Sequence, residues 1–211
     1  MSALATLLTL ADSRLPAGAH VHSGGLEEAV SSGLVTGLDG LDAFLRRRIR
    51  THGLVTASIA AAVHRGDLSP AEADEESDAR TPAPASRQAS RSQGRGLARL
   101  ARRVWPGDCW DVVGPHPHLA VAAGRVGSVS GLSPEQSALA IIYTTMTGSA
   151  TAAQRLLALD PADVAALTFR LADLCEHTAA DATAGLADLS DPLLDTLAQR
   201  HAGRERPLFV S

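Results

Sequence analysis

The sequence predicts an all-α protein, and three observations support that reading. Apolar residues fill 45% of the 211 positions while aromatics fill only 3%, so the core must be aliphatic and alanine-rich. Close helix packing suits that composition better than a sheet, which favours aromatic and β-branched side chains. A helix-start signal recurs at Ser69-Pro70, Ser133-Pro134, Asp160-Pro161 and Asp191-Pro192, each an N-cap residue followed by proline at the first helical position. Clean alternating apolar–polar runs, the mark of half-buried strands, are almost absent.

In chain order, Leu4, Leu7, Leu8 and Ala11 form a short apolar helical stripe. A loop rich in Pro and Gly follows, and a helix resumes from about Gly25 to Ser32, ending near Gly33. A longer helix steps through Leu38, Leu41, Leu45, Ile49, His52, Val55, Ile59 and Val63 and stops at Gly66. Ser69-Pro70-Ala71-Glu72 opens the next helix with a capping box, and Thr81-Pro82-Ala83-Pro84 predicts a kink before the following one. Trp105 to Pro117 reads as an irregular surface loop. Ser133 then opens a helix with Ala138, Ile141, Ile142, Met146, Ala150 and Ala153 on one face. Asp160 and Asp191 open the last two helices, which carry Val164, Leu167, Leu171, Leu174 and Cys175, then Leu193, Leu194, Leu197 and Ala198. Length and the absence of linkers predict one domain, 1–211: a compact multi-helix bundle with an irregular N-terminal loop and a short extended tail. The tail, 203–211, is expected to be flexible when free.

Composition excludes several functions. All 19 basic residues are Arg, so Schiff-base and P-loop lysine chemistry are impossible. The net charge of −4 argues against a general nucleic-acid or anionic-membrane binder. Two cysteines, Cys109 and Cys175, without a Cys-x-x-Cys pair, read as reduced thiols of a cytoplasmic protein. The first residues lack a basic n-region and are too short to span a bilayer.

The most informative stretch is Leu10–Glu27, LADSRLPAGAHVHSGGLE. Pro16 fixes its φ, while Gly18, Gly24 and Gly25 permit positive φ or close backbone approach. This shaped loop delivers a helix whose first turn carries Glu27, with His22 and Ser23 just before it. A site of this kind can meet a protein partner, a metal or a substrate. His20 and His22 supply at most two imidazole ligands, and a closed metal site usually needs four, so no dedicated metal site is assigned. Ser23 lacks a Gly-x-Ser-x-Gly elbow, and the adjacent acids Glu27 and Glu28 diverge on a helix, so no catalytic residues are assigned and the chain is read as a non-enzyme.

Arg87, Arg91, Arg95, Arg99 and Arg103 recur at four-residue spacing, a slowly rotating basic stripe. It either pairs with the acidic run from Glu72 to Asp78 or meets an acidic partner. Arg46, Arg47, Arg48 and Arg50 are expected to snorkel from a helix flank. A His20/His22 metal enzyme and a helical nucleic-acid regulator using the Arg87–Arg103 stripe are the alternative functions.

The Leu10–Glu27 segment resembles the N-terminal signature of UreF, a family of urease accessory proteins. Leu10, Ala11, Asp12, Ser13, Leu15, Pro16, Gly18, His22, Ser23, Gly25, Leu26 and Glu27 match its pattern. Ser90 and Gly94 in the Arg-rich helix, His116-Pro117 through Gly124, Gln154-Arg155-Leu156-Leu157, and the ending with His201 and Leu208-Phe209-x-Ser211 are supportive. The resemblance implies an all-α, non-catalytic, dimerising chaperone. Such a protein joins UreH (also called UreD) and the GTPase UreG to deliver nickel to apo-urease, with no tightly bound cofactor of its own. Pro16, Gly18, His22, Ser23, Gly25 and Glu27 would face the GTPase, and His201, Arg206, Leu208, Phe209 and Ser211 would form the tail dock. Pro207 departs from the family pattern, which places Arg directly before Leu-Phe.

Overall fold

The structure is a computed structural model that describes residues 2–12, 15, 22–189, 191–205 and 208–209. Its elements are α1 (Ala3–Leu10), α2 (Leu26–Ser31), α3 (Leu38–Arg48), a π-helical turn (Ile49–Gly53), α4 (Leu54–Arg65), α5 (Pro70–Ala79), α6 (Pro84–Val104), a 3₁₀ turn (Asp111–Val113), α7 (Leu119–Ser130), α8 (Pro134–Leu156), α9 (Pro161–Arg170), α10 (Ala172–Ala184) and α11 (Pro192–Ala202). The all-α reading is correct, and no strand occurs among the described residues.

All four Ser/Asp-Pro signals start helices. Ser69 and Ser133 each close a capping box, with Glu72 and Gln136 respectively. Asp160 accepts from the Ala162 amide, and Asp191 from the Leu193 and Leu194 amides. Each cap satisfies N–H groups that the first turn leaves without partners.

Small side chains let the helices approach closely. Buried Ala57, Ala60, Ala61 and Ala62 line α4, which packs against α7, α8 and α10. Long α8 contributes Ala138, Ile142, Met146, Ala150 and Ala153 to the same core. Helix α6 covers α7, and α11 packs against both α2 and α6. Gly94 shows why α6 tolerates a helix-weakening residue: a Cβ there would stand 2.1 Å from the Pro117 carbonyl oxygen. Gly94 thus admits the backbone of the segment that leads into α7.

Two expectations need correction, and one needs refining. Trp105–Pro117 is irregular and largely exposed, as expected, apart from the 3₁₀ turn, but it is anchored inward at Trp110. Trp110 is buried, its Nε1 donates to the Trp105 carbonyl at 2.8 Å, and Arg125 lies over its ring. An indole carries too much apolar area to stay in water when a seat is available. The long helix from Leu38 is interrupted at Ile49–Gly53, where the Leu54 amide reaches back five residues to Ile49. Arg48 does not snorkel outward: its Nε is buried, and Nη1 donates to the Gly24 carbonyl.

Candidate partner-docking site

The site is built where the N-terminal loop, α2, α11 and the tail converge. Gly24 (φ +63°) and Gly25 (φ +87°) turn the chain into α2 through left-handed backbone. Glycine suits the first position because its backbone is left-handed and a Cβ there would lie 2.3 Å from the Arg48 guanidinium carbon and displace that side chain. Ser23 is fully buried, with its Oγ accepting from the Glu27 amide and its carbonyl accepting from Ser149 Oγ.

Glu27 holds the junction together. Its carboxylate is only 3% exposed. One oxygen accepts from His201 Nε2 at 2.8 Å and from the Phe209 amide at 2.9 Å, and the other accepts from the Leu208 amide at 2.9 Å. An ionised carboxylate has no proton to give, so His201 carries hydrogen on Nε2. Burial pushes the Glu27 carboxyl up, but the His201 bond and the two tail amides outweigh it, and the net pKa lies below the ordinary 4.5. Beside it, Glu28 pairs with Arg204 at 2.8 Å.

The tail has a seat that its sequence does not announce. Phe209 is 6% exposed and lies beneath the Arg155 guanidinium at 5.3 Å, whereas Leu208 is 77% exposed. The apolar end therefore divides, with Phe209 inward and Leu208 outward. The signal was unreadable because the acceptor, Glu27, lies 182 positions away from Phe209.

The described loop residues expected to face a partner are therefore interior. His22 and Ser23 are buried, Gly25 packs within 3.2 Å of Leu197 Cβ if given a Cβ, and the Glu27 carboxylate is out of contact with solvent. Glu27 is a positioning residue that fixes tail against helix, and it does not present its charge at the surface. Pro16, Gly18, His20, Arg206, Pro207 and Ser211 lie outside the described residues.

The basic stripe divides along α6. Arg91 donates to both Asp74 and Asp78 at 2.8 Å, and Arg87 donates to the Thr81 carbonyl at 2.9 Å with Asp78 at 3.7 Å. Arg95, Arg99 and Arg103 are exposed and make no ion pair among the described residues. The acidic run is accordingly only partly solvated, since Asp74 and Asp78 are taken up by α6 and by His118.

Asp74, Asp78 and His118 bring three potential metal donors together. Buried His118 bonds Ser90 Oγ at 3.0 Å and Asp78 at 2.8 Å. Arg91 already supplies the positive charge that both carboxylates need, so the cluster reads as an ion-pair network tying α5 to α6 and α7. Burial lowers the His118 pKa, with Asp78 opposing and Arg91 adding to the shift. Cys109 and Cys175 are both free thiols.

The architecture is that of a helical protein whose candidate site gathers segments and, among the described residues, assembles no catalytic group. The family model for UreF matches residues 35–172. Urease accessory protein UreF of Mycobacterium bovis (strain BCG / Pasteur 1173P2) is 74% identical over 211 residues, covering 100% of both chains. The proteins of that name from Mycobacterium tuberculosis (strain ATCC 25618 / H37Rv) and Mycobacterium marinum (strain ATCC BAA-535 / M) are 73% and 74% identical over the same full length. The chain belongs to the UreF family of urease accessory proteins, and its role is accessory to urease maturation and not catalytic. The Leu10–Glu27 signature precedes the residues matched by the family model, and the full-length relatives cover it.

Proposed function

We propose that this chain is a cytoplasmic scaffold that delivers nickel to apo-urease in a complex with UreH (UreD) and the GTPase UreG, working as a homodimer. Nickel is its cargo and is handled by the complex, and the chain has no tightly bound cofactor of its own. The observation that carries this reading is the Glu27 junction. It ties the His22–Glu27 segment to His201, Leu208 and Phe209 through one buried carboxylate. The resemblance assigns those two sets of residues to different partners, so one carboxylate couples the two docks.

Supporting features are the exposed Leu208 beside the buried Phe209 anchor and the exposed cations Arg95, Arg99 and Arg103, which suit an acidic protein face. Pro16, Gly18 and Gly25 shape the first dock in this proposal, with Arg206 and Ser211 contributing to the second. Among the described residues no helix is long and apolar enough to cross a membrane.

The test is urease activation with purified components, the chain being omitted and restored, together with size measurement of its mixtures with UreH and UreG. The proposal expects activation to require the chain and a joint complex to form at micromolar concentration. Separate elution of the partners, or full activation without the chain, overturns it.

A further inference from the structure

We propose that the pocket that runs past Arg48 and His52 binds a small oxyanion, carboxylate- or phosphate-like, through the free edge of the Arg48 guanidinium. This extended, partly open pocket has a volume of about 170 Å³ in all, and Gly24, Arg48, His52, Thr56, Thr144 and Asp191 are among the residues that line it. Arg48 uses Nη1 on the Gly24 carbonyl, and its buried Nε has no hydrogen-bond partner. In a planar guanidinium the Nε and Nη2 hydrogens share one edge, which matches two oxygens of a single anion. Native proteins rarely leave such a buried charged donor unmet.

The nearby carboxylate does not fill this role. Asp191 has both oxygens engaged by Arg47, at 2.6 and 2.7 Å, and it also accepts from Thr51 and from the first amides of α11. Asp191 acts on Arg48 through space only. Burial lowers the Arg48 pKa to about 10, so it stays cationic at neutral pH.

His52 lies four residues on, across the π-helical turn, and its ring makes no hydrogen bond among the described residues. Burial and the Arg48 charge keep it neutral, with a pKa near 3. A neutral imidazole offers one further N–H to an anion, while the fixed Arg48 charge beside it repels a metal cation. Widened helical turns of this kind recur at functional sites.

The test uses sodium acetate and sodium phosphate as probes against sodium chloride of equal ionic strength. The thermal midpoint is followed together with the ¹⁵Nε–¹H resonance of Arg48, which is identified by its absence from Arg48→Lys. The expected result is a saturable rise in midpoint with acetate or phosphate, a matching saturable displacement of the Arg48 resonance, and loss of the midpoint rise in Arg48→Met. A resonance that neither probe moves, or a rise of equal size in Arg48→Met, overturns the proposal. The resonance is read in the unsubstituted chain, so the outcome does not depend on Arg48→Met folding. Because no urease partner takes part, the result stands apart from the scaffold reading.

Discussion

Glu27 and His201 are 174 positions apart, yet their side chains meet at 2.8 Å in a nearly solvent-free junction. The same carboxylate holds two tail amides, so a single side chain connects α2, α11 and the tail. That arrangement makes its removal legible at a distance.

Glu27→Ala leaves His201 Nε2 and the Leu208 and Phe209 amides without their acceptor. Each buried donor left unmet costs about 1–3 kcal/mol, and release of the tail to water recovers part of that. The expected outcome is a fall of about 2–3 kcal/mol in unfolding free energy, on the same per-donor scale, with faster hydrogen exchange at the amides of residues 208 and 209. Glu27→Gln keeps one acceptor oxygen and loses less. Denaturant titration with residue-resolved exchange checks both, and unchanged protection at 208 and 209 would contradict the role assigned to Glu27.

Acid sensitivity has a defined sign in two windows. His52 has a folded pKa near 3 against an ordinary 6.5, so the unfolded chain takes up its proton first. Its stabilising contribution is present above pH 6.5 and declines as pH falls toward 3. Glu27 has a lowered pKa, so its contribution is present above 4.5 and is lost as pH falls through its folded value. Denaturant midpoints taken from pH 7.5 to about 3, a range spanning both windows, are expected to fall throughout. His52→Gln should reduce the slope in the upper window, which His64 and His118 share, and Glu27→Gln the slope in the lower one, which Asp78 and Asp191 share.

Gly24 and Gly33 share left-handed backbone, with φ of +63° and +74°, but a Cβ at Gly33 meets nothing within 4 Å. Gly33→Ala is expected to cost only the backbone penalty, about 1–2 kcal/mol. Gly24→Ala adds displacement of the Arg48 guanidinium and its bond to the Gly24 carbonyl, so the loss should exceed that of Gly33→Ala by at least ~1 kcal/mol. Equal melting points for the two variants would show that Arg48 yields freely.

The two halves of the α6 stripe should respond differently. Arg99→Ala and Arg103→Ala are expected to stay within about 0.5 kcal/mol of the parent stability, as for other exposed positions. Arg91→Ala leaves Asp74 and Asp78 facing one another and is expected to cost about 1–3 kcal/mol. If the exposed half meets an acidic partner, Arg99→Glu weakens complex formation, and added salt shrinks the difference.

Local chemistry made much of this molecule readable in advance. Ser69, Ser133, Asp160 and Asp191 announce their helices because a cap and the following proline act within one turn. Gly94 costs stability inside a helix, and the close Pro117 carbonyl supplies the local reason for it. What stayed hidden depends on distant partners. Nothing near Phe209 specifies Glu27 and Arg155 as its surroundings, and nothing near Arg48 shows that Gly24 folds over it. Helical periodicity also cannot reveal the extra residue of the π turn, because Ile49 and His52 still fit an ordinary apolar spacing. The Leu10–Glu27 motif does not reveal that the side chains of His22, Ser23 and Glu27 lie buried.

The most direct measurement is urease activation and complex formation with Phe209→Ala, after circular dichroism has shown that its helices are retained. If the junction couples the two docks, this substitution detaches the tail, lowers recovery of the joint complex by about tenfold (roughly 1.4 kcal/mol) and slows activation correspondingly. Full activation and an undiminished complex with a folded Phe209→Ala chain would show that the junction does not serve partner recognition.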